Sequence, residues 1–420
     1  MDIPRKLFIG YDLCEDDTQI SCYSYKTMEP VTIGISEGED YSPIPTVLCL
    51  EEATGKWLYG KEAKDCAAAG KEILISGFLG MIKTKEEIAV GNQKYTGLML
   101  LEKFFRKTLM LVKNYFPAQL ITRLVMTVKD TDPAMMDGIY EALSMLGIDR
   151  DRAVVISHDR AYLYYALSQN KMFWMNDVGL FDFDENGLIY YQININRRAY
   201  PMVAQIEQKN LADQLSYDMI ADNRVDLGYV FENAANTVLY QEIISTLYFT
   251  GKGFEGGWVE ETIRHLCKGR RAFLGQNLFT KGACYAAREL SGEQTLEDFI
   301  LLSEEVIVNS VSICVYKDGK VNEIILAQAG IPWYEVNQSI EVIPEGRAEI
   351  EIILRNCMTR ETVREKLVPN DLVCGQDRMT RLEIHIACTG KSSATVTVTD
   401  VGFGEICPGT GRTWEFCVEI

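Results

Sequence analysis

Twice in this 420-residue chain an apolar strand runs into an aspartate and then into an acidic bend. The first segment is Leu7-Phe8-Ile9-Gly10-Tyr11-Asp12-Leu13-Cys14-Glu15-Asp16-Asp17, and the second is Val178-Gly179-Leu180-Phe181-Asp182-Phe183-Asp184-Glu185-Asn186-Gly187. A phosphate cradle needs glycine at such a bend, because only a bare backbone lets N–H groups close on the anion. Both bends here carry carboxylates instead.

The pattern around these segments is that of a layered α/β domain. Residues 7–13, 18–25 and 29–36 read as a three-strand antiparallel meander, with turns at Glu15-Asp16-Asp17 and around Gly34 to Gly38. Residues 45–50 and 57–60 make a hairpin, and 61–69 a short helix. Leu100, Leu101, Phe104, Phe105, Leu109 and Val112 recur at helical spacing, predicting a helix over 97–116. A strand at 120–128 precedes Asp132-Pro133, an N-cap with proline at the first helical position, which opens a helix running to Leu146. A strand at 154–156, a helix at 159–167 and a strand at 178–183 complete an alternation that implies a mostly parallel sheet with packed crossovers. Strands at 188–196 and 199–207 follow, then a helix over 229–245 and a buried strand ending in the glycine turn of Gly251 and Gly253. Helices at 258–268 and 277–288 close this part.

Beyond residue 300 or so the helical period fades. Strands are expected at 306–316, 323–329, 348–356, 381–388 and 394–401, with turns at Asp318-Gly319, Pro344-Glu345-Gly346 and Thr389-Gly390. Short alternating strands at this spacing indicate an all-β sandwich. The expected domains are therefore 1–295 and 300–420, and no internal repeat stands out.

Composition excludes several classes of partner. A net charge of −18 repels nucleic acid and anionic membrane surfaces. No apolar run is long enough to span a bilayer, and no signal peptide is expected near the N-terminus. The twelve cysteines are scattered, without a CxxC pair or zinc spacing. Reduced thiols in a cytoplasmic protein are expected, with neither disulfides nor a metal site.

The order of parts resembles the DnaK-type heat-shock chaperones of the actin-like ATPase superfamily. Phe8 to Leu13 looks like that family's first phosphate loop, and Leu180-Phe181-Asp182 like the strand entering its second. Pro45-Thr46-Val47, Tyr59 to Lys64, and Ser157 to Tyr162 resemble the segments between them. Thr250-Gly251-Lys252-Gly253-Phe254 is similar to the adenosine-motif turn, Gly282 to Ala287 to the final connecting helix, and Arg381 to Ile386 with Ala394 to Asp400 to the last hairpin of the substrate-binding sandwich. The resemblance implies an actin-like (ribonuclease H-like) two-lobe α/β domain followed by a β-sandwich. It also implies metal–nucleotide binding at Asp12 and Asp182, adenosine contacts at Gly251 and Gly253, and a water-orienting role at the position of His158.

Three departures separate the chain from that pattern. Cys14-Glu15-Asp16-Asp17 stands where the family continues into glycine and hydroxylated residues, and Asp184-Glu185 where it carries a glycine run. A carboxylate about 4 Å from a phosphate is repelled by roughly 4 kcal/mol at an effective dielectric near 20. The interval from Asp182 to Thr250 is too short for the subdomain that closes over adenine, and no helical lid is expected after the sandwich. No cofactor is expected on this reading; ATP with Mg²⁺ is the alternative.

The candidate residues also have ordinary readings. Aspartates cap turns; Glu15, Asp16, Asp184 and Glu185 could instead offer hard oxygen ligands to Ca²⁺ or Mg²⁺. His158 suits a helix start, and His265 and His385 read as structural. Gly251, Gly253 and Gly256-Gly257 serve either an anion or tight strand-to-helix packing. Lys268-Gly269-Arg270-Arg271 is the compact basic patch, and Trp333-Tyr334 a candidate peptide contact. The expected function is a non-hydrolysing, DnaK-related binding or scaffold protein with a protein or peptide partner. A divergent chaperone ATPase and an actin-like assembly protein are the alternatives.

Overall fold

Strand β1 (Leu7–Leu13) is buried along its whole length, as a central strand covered on both faces must be. The computed structural model describes residues 6–34, 43–51, 54–70, 72–117, 119–129, 131–222, 224–293, 295–344, 349–370, 372 and 380–420. Gly38 and Glu345-Gly346, at two of the expected turns, lie outside the described residues. The chain divides into two units, one of residues 1–193 and 208–297, the other of 194–207 and 298–420.

In the first unit β1 continues antiparallel into β2 (Asp17–Ser24) and β3 (Glu29–Thr32). Short elements then follow: β4 (Ile44–Pro45), β5 (Leu48–Glu51), β6 (Lys56–Tyr59), α1 (Gly60–Ala68), β7 (Leu74–Ile75), α2 (Phe78–Thr84), β8 (Glu87–Val90) and β9 (Gln93–Thr96). Helix α3 (Gly97–Tyr115) starts where the Thr96 hydroxyl accepts from Met99 N–H, and buries Leu100, Leu101, Phe104, Phe105 and Val112. Strand β10 (Ile121–Val128) lies parallel to β1. Helix α4 (Pro133–Ser144) opens as its sequence dictates, with the Asp132 carboxylate accepting from Ala134 and Met135 N–H. Strand β11 (Ala153–Ser157) lies parallel to β10, and α5 (His158–Ser168) leaves it directly.

The second sheet follows the same plan. Strands β12 (Asp177–Asp184), β13 (Gly187–Asn196) and β14 (Met202–Asn210) are followed by α6 (Leu227–Leu239), β15 (Ile244–Thr250), α7 (Val259–Leu266), β16 (Arg271–Leu274) and α8 (Leu278–Glu289). Both sheets are six-stranded, one ordered β11-β10-β1-β2-β3 with β4 on β2, the other β16-β15-β12-β13-β14 with residues 299–302 beyond β14, and in each a parallel pair, β10 with β11 or β15 with β16, extends from the first strand. The repeat is thus one of wiring, which sequence comparison along the chain does not reveal. The helix expected over 229–245 is shorter: α6 stops at Leu239, Gln241 takes a left-handed φ of 62°, and Ser245 already belongs to β15.

Helix α8 packs across β1 and against α5. A Cβ at Gly10 would stand 2.1 Å from the Thr280 carbonyl oxygen, and one at Gly282 would stand 2.0 Å from that of Ala161. Only glycine admits such backbone approach.

The second unit is rich in strands. Strand β17 (Phe299–Leu302) pairs parallel with Met202–Gln205 of β14. Then come β18 (Asn309–Lys317), β19 (Lys320–Ala327), β20 (Asn337–Val342), β21 (Ile350–Asn356), β22 (Thr362–Leu367), β23 (Leu382–Gly390), β24 (Ser393–Asp400) and β25 (Thr413–Glu419). Two four-stranded sheets, β19-β18-β21-β22 and β20-β23-β24-β25, share one apolar core that includes Ile313, Ile352, Leu354, Ile384, Ile386, Val396 and Val398. The architecture is therefore mixed α/β followed by a strand-rich C-terminal region. No described helix is long and apolar enough to cross a membrane.

Candidate functional site

The repeated wiring brings the two acidic segments face to face. Asp12 on β1 pairs in register with Thr127 on β10, and Asp182 on β12 pairs with Thr250 on β15. Two residues beyond each threonine stands a lysine, in Thr127-Val128-Lys129 and Thr250-Gly251-Lys252. These four strand ends enclose a cavity of about 90 Å³ lined by Asp12, Cys14, Lys129, His158, Asp182 and Lys252 among others.

At the cavity's base the His158 Nε2 and Asp12 Oδ1 atoms are hydrogen-bonded at 2.8 Å. His158 lies at the first position of α5, and its ring stacks on Phe279 with centroids 4.0 Å apart. The Cys14 thiol donates to Asp12 Oδ1 at 3.6 Å and lies 3.9 Å from the same His158 Nε2. A nucleophile relay needs its acid and its thiol on different ring nitrogens, so this trio is not one. Burial also pushes the Cys14 thiol well above its ordinary pKa, with the nearby Asp12 and Asp182 charges adding to the rise, opposite to what a reactive thiol requires. His158 Nδ1 is buried with no hydrogen-bond partner among the described residues.

Asp182 is 4% exposed, and its carboxylate accepts no hydrogen bond among the described residues. Burial raises its pKa, with Asp12 adding to the rise and Lys129 and His158 opposing it.

The bends themselves are tied across the cavity. Lys129, just after β10 of the first sheet, forms an ion pair with Asp184 of the second. Lys252, after the fourth strand of the second sheet, pairs with Asp17 of the first at 2.5 Å. Burial works against the Lys252 charge, but the Asp17 bond, with Asp16 and Glu185 nearby, outweighs it and raises its pKa. Glu185 is held above its usual carboxyl pKa first by a hydrogen bond with Asp16 and then by burial. Glu15 turns the other way, accepting from Gly80 N–H in α2. Thr46 braces the first bend, its hydroxyl donating to Cys14 O at 2.8 Å and its N–H to Asp16 O at 2.8 Å. In the second bend Asp184 accepts from Asn186 N–H at 2.8 Å, an ordinary turn cap. The four carboxylates read as possible hard-metal ligands are thus each taken up by protein partners.

The glycine turn serves packing. A Cβ at Gly251 would stand 2.2 Å from Phe183 O, and one at Gly253 would stand 2.3 Å from the Phe183 ring. The Gly251 N–H already donates to Gln276 Oε1 at 2.9 Å. Gly256 and Gly257 line a larger cavity of about 1260 Å³ that shares Gln276 with the first and is also lined by Glu29, Glu255, Glu260 and Lys281. In the basic patch, Arg270 donates to Leu266 O and Arg271 to Met172 O. His265 lies 3.9 Å from Glu232, and His385 bonds Asn337 at 2.7 Å. In the second unit Trp333 packs on the apolar core, and Tyr334 is 37% exposed.

Sequence reasoning placed Asp12, His158 and Asp182 and did not find Lys129, Lys252 or the joining of Cys14 to the cavity. The available signal was the Thr-x-Lys triplet closing two strands that each follow an aspartate-ended strand.

No curated protein matches the chain. Residues 306–420 match a domain of unknown function (DUF8552). Residues 29–304, well over half the sequence, match the C-terminal part of a family of unknown function (DUF5716), and the chain belongs to that family.

Proposed function

We propose that the first unit is an actin-like pair of lobes related to the DnaK-type chaperones, that its central cleft takes no nucleotide, and that the chain is a non-hydrolysing binding or scaffold protein. The second unit, read as a β-sandwich, then supplies the contact with a protein or peptide partner. The shared strand order of the two sheets supports the actin-like part of this reading, since that fold is expected to repeat a three-strand set extended by two parallel strands.

The observation that carries the loss of nucleotide is the size and lining of the cleft. A cavity of about 90 Å³ has room for roughly three waters, each occupying ~30 Å³ in the liquid. Small-molecule pockets begin near 300 Å³. The lysines that could have met phosphates are paired instead with Asp184 and Asp17. On this reading the acidic bends and their paired lysines disfavour a triphosphate between Asp12 and Asp182.

Calorimetric titration of the full chain with ATP and Mg²⁺ tests this. The expected outcome is no binding heat up to millimolar nucleotide and no phosphate release. Micromolar binding with turnover abolished by Asp12→Asn would replace the scaffold reading with that of a divergent ATPase.

A further inference from the structure

We propose that Asp12, Cys14 and His158 form a three-ligand site for a divalent transition ion of the zinc class, with Asp182 facing its open fourth position. This goes beyond the scaffold reading and does not depend on it.

The ligand atoms are already gathered. Asp12 Oδ1, Cys14 Sγ and His158 Nε2 all lie within 4.8 Å of one another. With bonds of about 2.3 Å to sulfur and 2.0–2.2 Å to nitrogen and oxygen, a tetrahedral centre separates its ligand atoms by roughly 3.3–3.7 Å. The observed separations are 3.6 Å for sulfur to oxygen, 3.9 Å for sulfur to nitrogen and 2.8 Å for nitrogen to oxygen. Binding requires the His158–Asp12 hydrogen bond to open by about half an ångström while the other two spacings change little. Asp12 lies on β1, Cys14 in the bend just after it and His158 at the start of α5, with the Phe279 ring stacked on the imidazole.

The second observation is Asp182. It comes from the opposite sheet, lines the same cavity, is 4% exposed, and accepts no hydrogen bond among the described residues. A buried carboxylate without a donor is costly unless a cation or a bound water meets it. The cavity has room for such a water, which would sit on the ion's open position and donate to Asp182. The donor set chooses the ion: one thiolate, one imidazole and one carboxylate suit Zn²⁺ and its neighbours and disfavour Mg²⁺ and Ca²⁺, which take all-oxygen shells. Cys14, an obstruction to a phosphate, is an asset to such an ion.

The test uses the full chain, stripped with a chelator and titrated with Co²⁺ and then Zn²⁺. The expected result is one equivalent of Co²⁺ bound with a near-ultraviolet thiolate-to-cobalt charge-transfer band, displaced by Zn²⁺. Cys14→Ser removes the band, His158→Gln weakens binding at least tenfold, and Cys267→Ser leaves both unchanged. X-ray absorption at the zinc edge on the unmodified chain gives a readout independent of any variant's folding, with one sulfur and three nitrogen or oxygen neighbours expected. The proposal is overturned by a Co²⁺ spectrum without the band, by a band that survives Cys14→Ser, or by a zinc shell without sulfur.

Discussion

Asp12 and Asp182 occupy the same place in two sheets that share a five-strand order, and their surroundings are opposite. Asp12 holds a hydrogen bond from the His158 pair and another from the Cys14 thiol. Asp182 has neither, and its charge is opposed by burial. The wiring fixes where each carboxylate stands; the neighbours decide whether its charge is supported. A repeat of this kind tells a reader where to look for chemistry without telling what the chemistry is.

The comparison can be broken most forcefully at the strands themselves. Two residues before Asp12 stands Gly10, and two before Asp182 stands Leu180. Gly10→Ala pushes a methyl into the α8 backbone at 2.1 Å, and a loss of about 3 kcal/mol or more is expected, measured by urea denaturation. No such clash governs Leu180, whose side chain is already accommodated in the core. A Gly10→Ala chain of unchanged stability would mean that α8 does not rest on β1 as described.

Next in size is His158→Ala, which leaves the buried Asp12 carboxylate with only the weak thiol bond of Cys14. Destabilisation by about 2–4 kcal/mol at neutral pH is expected by the same measurement.

Asp182→Asn sharpens the contrast because it works in the other direction. An acid whose folded pKa is raised binds more protons in the folded state than in the unfolded chain. Its stabilising contribution is complete below the unfolded value near 3.8 and is lost as pH rises through the folded value. The asparagine variant escapes that loss, so it should be more stable than the parent near pH 7 by about 0.5–2 kcal/mol, and the gain should vanish in acid. Paired denaturation curves at pH 4 and pH 7 check the sign. Equal stability at both would place Asp182 in water or on an unseen donor.

Much of the first unit was legible because its signals are local. Asp132-Pro133 named the start of α4, and the heptad-like apolar residues named α3. The stretch between α1 and α3 gave no expectation, since β7, α2, β8 and β9 are short and half polar, and their identity comes from β5 pairing with β7, β8 pairing with β9, and α2 and β9 packing on α3. In the second unit β20 and β22 were missed because most of their residues face solvent, leaving little alternation to read. Strand β25 was missed despite Trp414, Phe416 and Val418 alternating as β-structure should. At the site, the aspartates were visible as strand ends. Lys129 and Lys252 were not, because what marks them is the register Asp12 to Thr127 and Asp182 to Thr250, a relation across more than sixty residues that no local window contains.

The contact of α8 with α5 has a mechanical meaning. Helices that meet through side chains can shift past one another, whereas a main-chain contact leaves no such slack. At Gly282 the two helices touch main chain to main chain, with the carbonyl of Ala161 filling the space a methyl would need. The two lysine pairs join the two sheets of the first unit by charge instead. One tie is made of main chain and the other of charge, so only the second answers to salt.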